Sequence, residues 1–101
     1  MKDFRAENVS PLRAMYNRIA VQLGEDENMD FMTRARAAIK RLEAEPGSLD
    51  TRDLKSLQFI YNRMVHVHGV NDQAADMKQA NEALEEVGAL VKRARSSSSG
   101  R

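Results

Sequence analysis

The sequence predicts an all-α protein of two αα-hairpins packed as a small four-helix bundle. Apolar residues recur every three or four positions in four stretches, and turn-forming residues bound each stretch. The pattern over 12–45 returns over 57–90, at an offset of forty-five residues. Because a helical hairpin cannot bury its own apolar stripe, two such hairpins are expected to pack face to face.

Identical residues at the offset of forty-five support an internal repeat. They are Leu12 and Leu57, the Tyr-Asn-Arg triplets at 16–18 and 61–63, Gly24 and Gly69, Met32 and Met77, Ala35 and Ala80, and Ala38 and Ala83. We interpret the pattern as duplication of one hairpin. The alternative is chance similarity between helices rich in Ala and Leu.

The length of 101 residues predicts one domain over 1–95, with hairpins at about 11–45 and 52–94. The Ser-rich end, 96–101, is predicted to be a flexible tail. A chain of this size buries a modest core, so self-association is expected to stabilise it.

The first hairpin has recognisable start and stop signals. Ser10 is the expected N-cap of the first helix, and Pro11 fits its first position, which leaves residues 1–9 as an arm. Gly24 ends that helix. The acidic connector at 25–30 precedes the second helix, about 31–45, where the helix dipole favours negative charge. The expected inward-facing residues there are Phe31, Met32, Ala35, Ala38, Ile39 and Leu42.

The second hairpin begins after the Pro-Gly-Ser break at 46–48. Asp50 or Thr51 is the expected cap of the third helix, about 52–68. The fourth helix, about 73–94, has apolar residues alternately three and four apart, a spacing typical of coiled-coil contacts. Gly88 interrupts it, and we interpret this glycine as allowing a close helix crossing.

Several classes of function are disfavoured. The absence of Cys excludes disulfides and thiol catalysis, and no apolar run has the length of a membrane span or signal peptide, so a cytoplasmic protein is expected. His66 and His68 lie too far apart around a helix to chelate one ion, and the acidic connector lacks the Gly and Glu of a calcium loop. No catalytic motif or phosphate loop is present. We therefore expect no enzyme, cofactor, metal or small-molecule substrate.

The remaining features predict a non-enzymatic interaction or assembly protein that binds a protein partner, or itself, through apolar helix faces. Phe59 lies off the apolar stripe of the third helix. The fourth helix outruns the second by about 10 Å, which leaves Leu90 and Val91 to be covered by the arm at Phe4, by a second copy or by another protein.

Arg18 and Arg63 of the two triplets complete the predicted protein-binding set. The interpretation we favour has each arginine pairing with an acid of the other hairpin. The alternative makes them a recognition pair for a partner's carboxylate or phosphate.

A second hypothesis is a small nucleic-acid-binding accessory protein. Its candidate residues are the basic side chains of the second helix and the chain end: Arg34, Arg36, Lys40, Arg41, Lys92, Arg93 and Arg95. The formal net charge of only +1 disfavours it, because such proteins usually carry a clear basic excess.

Overall fold

The computed structural model describes residues 6–99, with side chains at 9–45 and 47–93. Its helices are α1 (Ala6–Asn17), extended by a π-helical turn (Arg18–Gln22), α2 (Asp30–Ala44), α3 (Thr51–His66) and α4 (Ala75–Ser99), with a 3-10 turn at Pro46–Ser48. Between 6 and 99 there is no β-strand.

The four helices form a closed ring around one core. Each helix packs against the next in the chain, and α4 packs back against α1. This arrangement confirms the predicted all-α four-helix bundle. The largest fully buried side chains come from all four helices: Leu12, Ile19, Met32, Leu42, Leu57, Ile60, Met64, Met77 and Val87.

The first helix begins earlier than predicted. Its described part already includes Ala6, so Ser10 is not its N-cap and Pro11 lies inside it. Val9 explains the difference, because its side chain is only 5% exposed and adds one turn to the buried stripe. Burial of a Val contributes about 1.5–3 kcal/mol, which offsets most of the roughly 3 kcal/mol cost of an interior proline. Residues 6–9 of the predicted arm are therefore helical, and 1–5 lie outside the described residues.

Predicted signals account for the stops of the first and third helices and for the start of α3. Gly24 and Gly69 have φ angles of 74° and 69°, the left-handed conformation that ends helices. Asp50, rather than Thr51, caps α3: its carboxylate accepts the backbone N–H of Asp53 at 3.1 Å, and the carboxylate of Asp53 accepts the N–H of Asp50 at 3.1 Å.

The fourth helix differs from expectation in two respects. It continues to Ser99, so the backbone of 96–99, predicted as part of a flexible tail, is helical, while 100–101 lie outside the described residues. Gly88 does not mark a close helix crossing. A Cβ added to Gly88 would stand 3.7 Å from Leu54 Cδ2, which is ordinary van der Waals contact.

The two hairpins share local geometry at the offset of forty-five. Helices α2 and α4 begin at 30 and 75. Three hydrogen bonds of backbone N–H groups in the first connector have counterparts in the second. The N–H of Glu25 donates to Ile19 O (3.1 Å) as that of Val70 donates to Met64 O (2.9 Å), and the N–H of Leu23 donates to Arg18 O (3.0 Å) as that of His68 donates to Arg63 O (3.2 Å). The N–H of Asn28 donates to Asp26 Oδ1 (2.9 Å) as that of Gln73 donates to Asn71 Oδ1 (2.9 Å). That one hairpin was duplicated stays a prediction.

Candidate interaction groove

Helices α2 and α3 leave a surface groove of about 890 Å³ between them, which we call the basic groove. Phe31 and Phe59 form its aromatic part. Its charged lining consists of four cations and three acids: Arg34, Arg41, Arg52, Lys55, Asp30, Asp50 and Asp53. The groove therefore combines an aromatic surface with a mixed but predominantly positive wall.

The aromatic part of the groove is a pair of phenylalanines. The rings of Phe31 and Phe59 lie 5.1 Å apart between centroids and are tilted by 56°, within the geometry of attractive aromatic pairs. Phe59 is 47% exposed, as its position off the apolar stripe predicted. Phe31, predicted to face inward, is half-buried instead: it packs against the core and also lines the groove.

One cation of the groove is neutralised within the chain. Arg41 Nη1 donates to both carboxylate oxygens of Asp53, at 2.9 and 2.8 Å. Asp53 is buried and completes the α3 cap, so this ion pair ties α2 to the start of α3. The free-energy cost of desolvating this ion pair is offset by three hydrogen bonds that the Asp53 carboxylate accepts, two from Arg41 and one from the backbone N–H of Asp50.

Three cations of the groove have no ionic partner in the part of the chain that the structure describes. Among the described residues, none forms an ion pair with Arg34, Arg52 or Lys55. The groove acids left beside them are Asp30, in the first turn of α2, and Asp50, which caps α3. Three unpaired cations against these two acids leave the groove net positive.

Arg18 and Arg63 bind acids of the opposite hairpin, as the favoured interpretation predicted. Arg18 pairs with Asp76, and Arg63 Nε donates to Glu25 Oε2 at 2.6 Å. The guanidinium group of Arg63 also lies 5.0 Å from the centroid of Phe31, a cation–π distance. Both arginines thus link the two hairpins.

The carboxylate of Glu25 is the centre of the Arg63 network. His68 Nε2 lies 2.6 Å from the same oxygen, Oε2. The hydrogen bond from Arg63 lowers the pKa of Glu25 below its ordinary value, partial burial opposes this, and the hydrogen bond with His68 adds to the lowering. Glu25 is therefore held as a charged acceptor between the two hairpins.

Leu90 and Val91 do not form an exposed surface. They are 5% and 3% exposed and belong to the core, so their predicted place in a protein-binding surface is wrong. Gly88 lies beside Leu54 at the start of α3, and the preceding 3-10 turn also packs on α4. Phe4, the proposed cover, is outside the described residues.

Of the predicted nucleic-acid-binding residues with described side chains, only two line the groove. Arg34 and Arg41 line the groove. Arg36 lies outside the lining, with its Nη1 3.9 Å from Oε1 of Glu27, and Lys40 is also exposed outside the lining. Lys92 and Arg93 are exposed on α4, and the side chain of Arg95 lies outside the described residues.

The sequence pattern did not identify Arg52 or Lys55 as site residues, and it did not predict that Phe31 would line a surface groove. A signal was present on α3, where Arg52, Lys55 and Phe59 are spaced by three and four residues and so share one face. That face lies beside the apolar stripe and carries the groove.

Comparison with known proteins adds no functional assignment: no protein-family model, curated protein or solved structure matches this chain. In the described part, no helix has the length and apolarity required to cross a membrane. Nor do three His, Asp or Glu side chains there converge as a metal site would require.

Proposed function

We propose that this protein is a non-enzymatic interaction protein that binds an acidic segment of a protein partner in the basic groove. The observation that carries the proposal is the half-exposed Phe59, paired with Phe31, beside three cations without ionic partners. A cytoplasmic location is part of the proposal and is supported by the absence of Cys.

The aromatic pair supplies the apolar anchor of the proposed site. Phe59 is one of only four large apolar side chains that are exposed among the described residues, and it is the one that lines the groove. Aromatic and Arg side chains are enriched at the centres of protein interfaces, because burying them on binding releases much water from apolar surface. An aliphatic side chain of the partner would complete the cover of the Phe59 ring.

The cations give the site its preference for acidic partners. Exposed Arg34, Arg52 and Lys55 would each gain a carboxylate on binding, which raises both the rate and the selectivity of association. A groove between two helices fits an amphipathic helix that presents apolar and acidic side chains on one face. Asp30 and Asp50 in the same lining repel a continuous polyanion, so a protein segment is favoured over nucleic acid.

The experiment uses the full chain and a labelled acidic helical peptide that carries a single Leu, with binding followed by fluorescence anisotropy. The groove variant R34Q/R52Q/K55Q should weaken binding about tenfold or more, since exposed ion pairs contribute about 0.2–1 kcal/mol each. Phe59→Ala should weaken it comparably. The variant K40Q/K78Q/K92Q removes the same charge outside the groove lining and should bind as wild type does.

Two outcomes would overturn the proposal. The first is no measurable peptide binding, or equal losses in the groove and control variants. The second is preferential binding of single-stranded oligothymidine, with a steep dependence on salt and a loss in K40Q/K78Q/K92Q. That result would establish the nucleic-acid hypothesis instead.

A further inference from the structure

Phe31, one of the two rings in the aromatic part of the groove, contacts two residues of α3. Phe59 and Arg63 lie four positions apart and so share one face of that helix. The centroid of the Phe31 ring stands 5.1 Å from that of Phe59 and 5.0 Å from Cζ of Arg63. Phe59 lines the groove, whereas Arg63 does not. The Phe31 ring therefore connects the groove to a residue outside it.

Arg63 is itself fixed in place by the carboxylate of Glu25. Its Nε donates to Glu25 Oε2 at 2.6 Å, and its Nη2 donates to Oε1 at 3.4 Å. His68 Nε2 lies 2.6 Å from Oε2 and adds a further contact to the same carboxylate. The side chain of Glu25 is only 11% exposed, so solvent screens this pair less than it screens a surface pair. A guanidinium group that is hydrogen-bonded through two of its nitrogens is fixed in orientation, and it offers the Phe31 ring a fixed cationic surface.

We infer that Arg63 is a positioning residue of the basic groove. Together with Glu25 it holds the Phe31 ring against Phe59, so an ion pair outside the groove sets the affinity within it. The inference rests on the proposed function and assigns part of the binding affinity to residues that the partner does not contact. The attraction between a cation and an aromatic ring increases where water is excluded. A ring that is fixed before binding needs no further ordering when an apolar side chain of the partner packs on it.

The other hairpin places an acid where α2 has this ring. Arg18 corresponds to Arg63 at the offset of forty-five, and Asp76 corresponds to Phe31. Arg18 pairs with Asp76, so it reaches a carboxylate at the position where Arg63 reaches a ring. The two arginine side chains are equally exposed, at 30% and 31%, and both link the hairpins. Removal of either ion pair should therefore destabilise the fold, but only loss of the pair between Glu25 and Arg63 should affect the groove.

Fluorescence anisotropy with the full chain and the labelled acidic peptide tests the inference through two matched variants. E25Q/R63Q and R18Q/D76N each remove one ion pair between the hairpins and leave the net charge unchanged. E25Q/R63Q should weaken peptide binding about three- to tenfold, the range expected when one more side chain has to be ordered on binding. R18Q/D76N should change the affinity less than about twofold. Thermal melts of both variants set a temperature at which each is folded.

Two further readouts separate positioning from a general loss of stability. The dependence of the affinity on salt should be the same in E25Q/R63Q as in wild type, because all the groove cations remain, whereas the triple variant of the groove cations should reduce it. In a Phe31→Leu background, adding E25Q/R63Q should cause less than about a twofold further loss, because the ring through which Arg63 acts is gone.

Unchanged affinity in E25Q/R63Q, or equal losses in E25Q/R63Q and R18Q/D76N, would overturn the inference. A loss that persists undiminished in the Phe31→Leu background would overturn it as well. In each of these cases the wild-type chain still binds the peptide, so the proposed function stands. A wild-type chain that binds no peptide overturns the proposed function, and the inference with it.

Discussion

The two hairpins, 6–44 and 51–99, share core and turn positions at the offset of forty-five and differ in the charges of their outer positions. Buried Met32 and Met77, and left-handed Gly24 and Gly69, occupy matching positions. The outer positions of the same helices diverge, with Lys and Arg in α2 where α4 has Glu. The comparison teaches that the apolar pattern and the turns determine the bundle, whereas exposed positions are free to acquire a binding preference.

A single pair of equivalent contacts shows how the groove arises. Arg18 reaches Asp76 at the start of α4, and Arg63 reaches Phe31 at the start of α2, which is the matching position. An ion pair in one place is thus a cation–π contact in the other. Since Phe31 cannot neutralise Arg63, Glu25 does so, and Phe31 remains available to pair with Phe59.

The largest expected effect tests whether the matching core positions are equivalent. Ile19 and Met64 correspond at the offset of forty-five, and both side chains are fully buried in the core. Truncating either residue to Ala should lower the free energy of unfolding by roughly 2–4 kcal/mol, because a buried large-to-small change leaves a cavity. Urea melts followed by circular dichroism measure this.

Both variants should unfold in one transition, since the helices share a single core. A loss of less than about 0.5 kcal/mol for one of them would break the equivalence, because that side chain would then contribute little to the core.

Much of the bundle could be predicted because its signals are local. The apolar stripes gave α2 to within one residue at each end, and Gly24 and Gly69 are the predicted stops. Pro11 misled the prediction, because burial of Val9 offsets most of the cost of an interior proline.

The groove itself could not be predicted in the same way. Phe31 and Phe59 lie twenty-eight positions apart and meet only through the packing of α2 on α3. Contacts between distant segments leave no periodic trace in the sequence.

The next largest expected effect concerns the connectors between the two helices of each hairpin, in which Glu25 corresponds to Val70 at the offset of forty-five. Glu25→Gln should cost about 1–2 kcal/mol at pH 7, because it weakens the charged hydrogen bonds to Arg63 and His68. The pKa of Glu25 is lowered in the folded state, so its stabilisation is present above the ordinary pKa of 4.5 and is lost as pH falls through the folded value.

The gap in stability between wild type and Glu25→Gln should therefore narrow below pH 4.5. Urea melts at a series of pH values measure it, with Val70→Ala as the matched control. If Val70→Ala alters the pH dependence as much as Glu25→Gln does, the two connectors do not differ in the way that the ion pair implies.

Three glycines provide a smaller test of the shared geometry. Gly24→Ala and Gly69→Ala should each cost about 1 kcal/mol, since the left-handed backbone strains any residue with a Cβ. No atom within 4 Å would contact the new methyl group in either case, so the two costs should be equal.

Gly88→Ala should instead stabilise the protein by about 0.5–1 kcal/mol, because Gly88 is helical and the added Cβ meets Leu54 at an ordinary distance. If thermal melts give Gly88→Ala a lower melting temperature than wild type, the interpretation of Gly88 as the site of a close helix crossing would be supported.

The smallest expected effect concerns the segment in which the hairpins differ in length. Helix α2 has 15 residues and ends at Ala44, whereas α4 has 25 and continues past the matching position, Ala89. Leu90 and Val91 are the last buried side chains described on α4. Ser is a modest helix former and terminal turns fray, so deletion of 96–101 should shift the melting temperature by less than about 2 °C. Calorimetry measures that shift, and circular dichroism should show only the loss of the deleted turn. A fall of more than about 5 °C would mean that the serine turn stabilises the bundle by roughly 1 kcal/mol, and that α4 has a packed extension with no counterpart in α2.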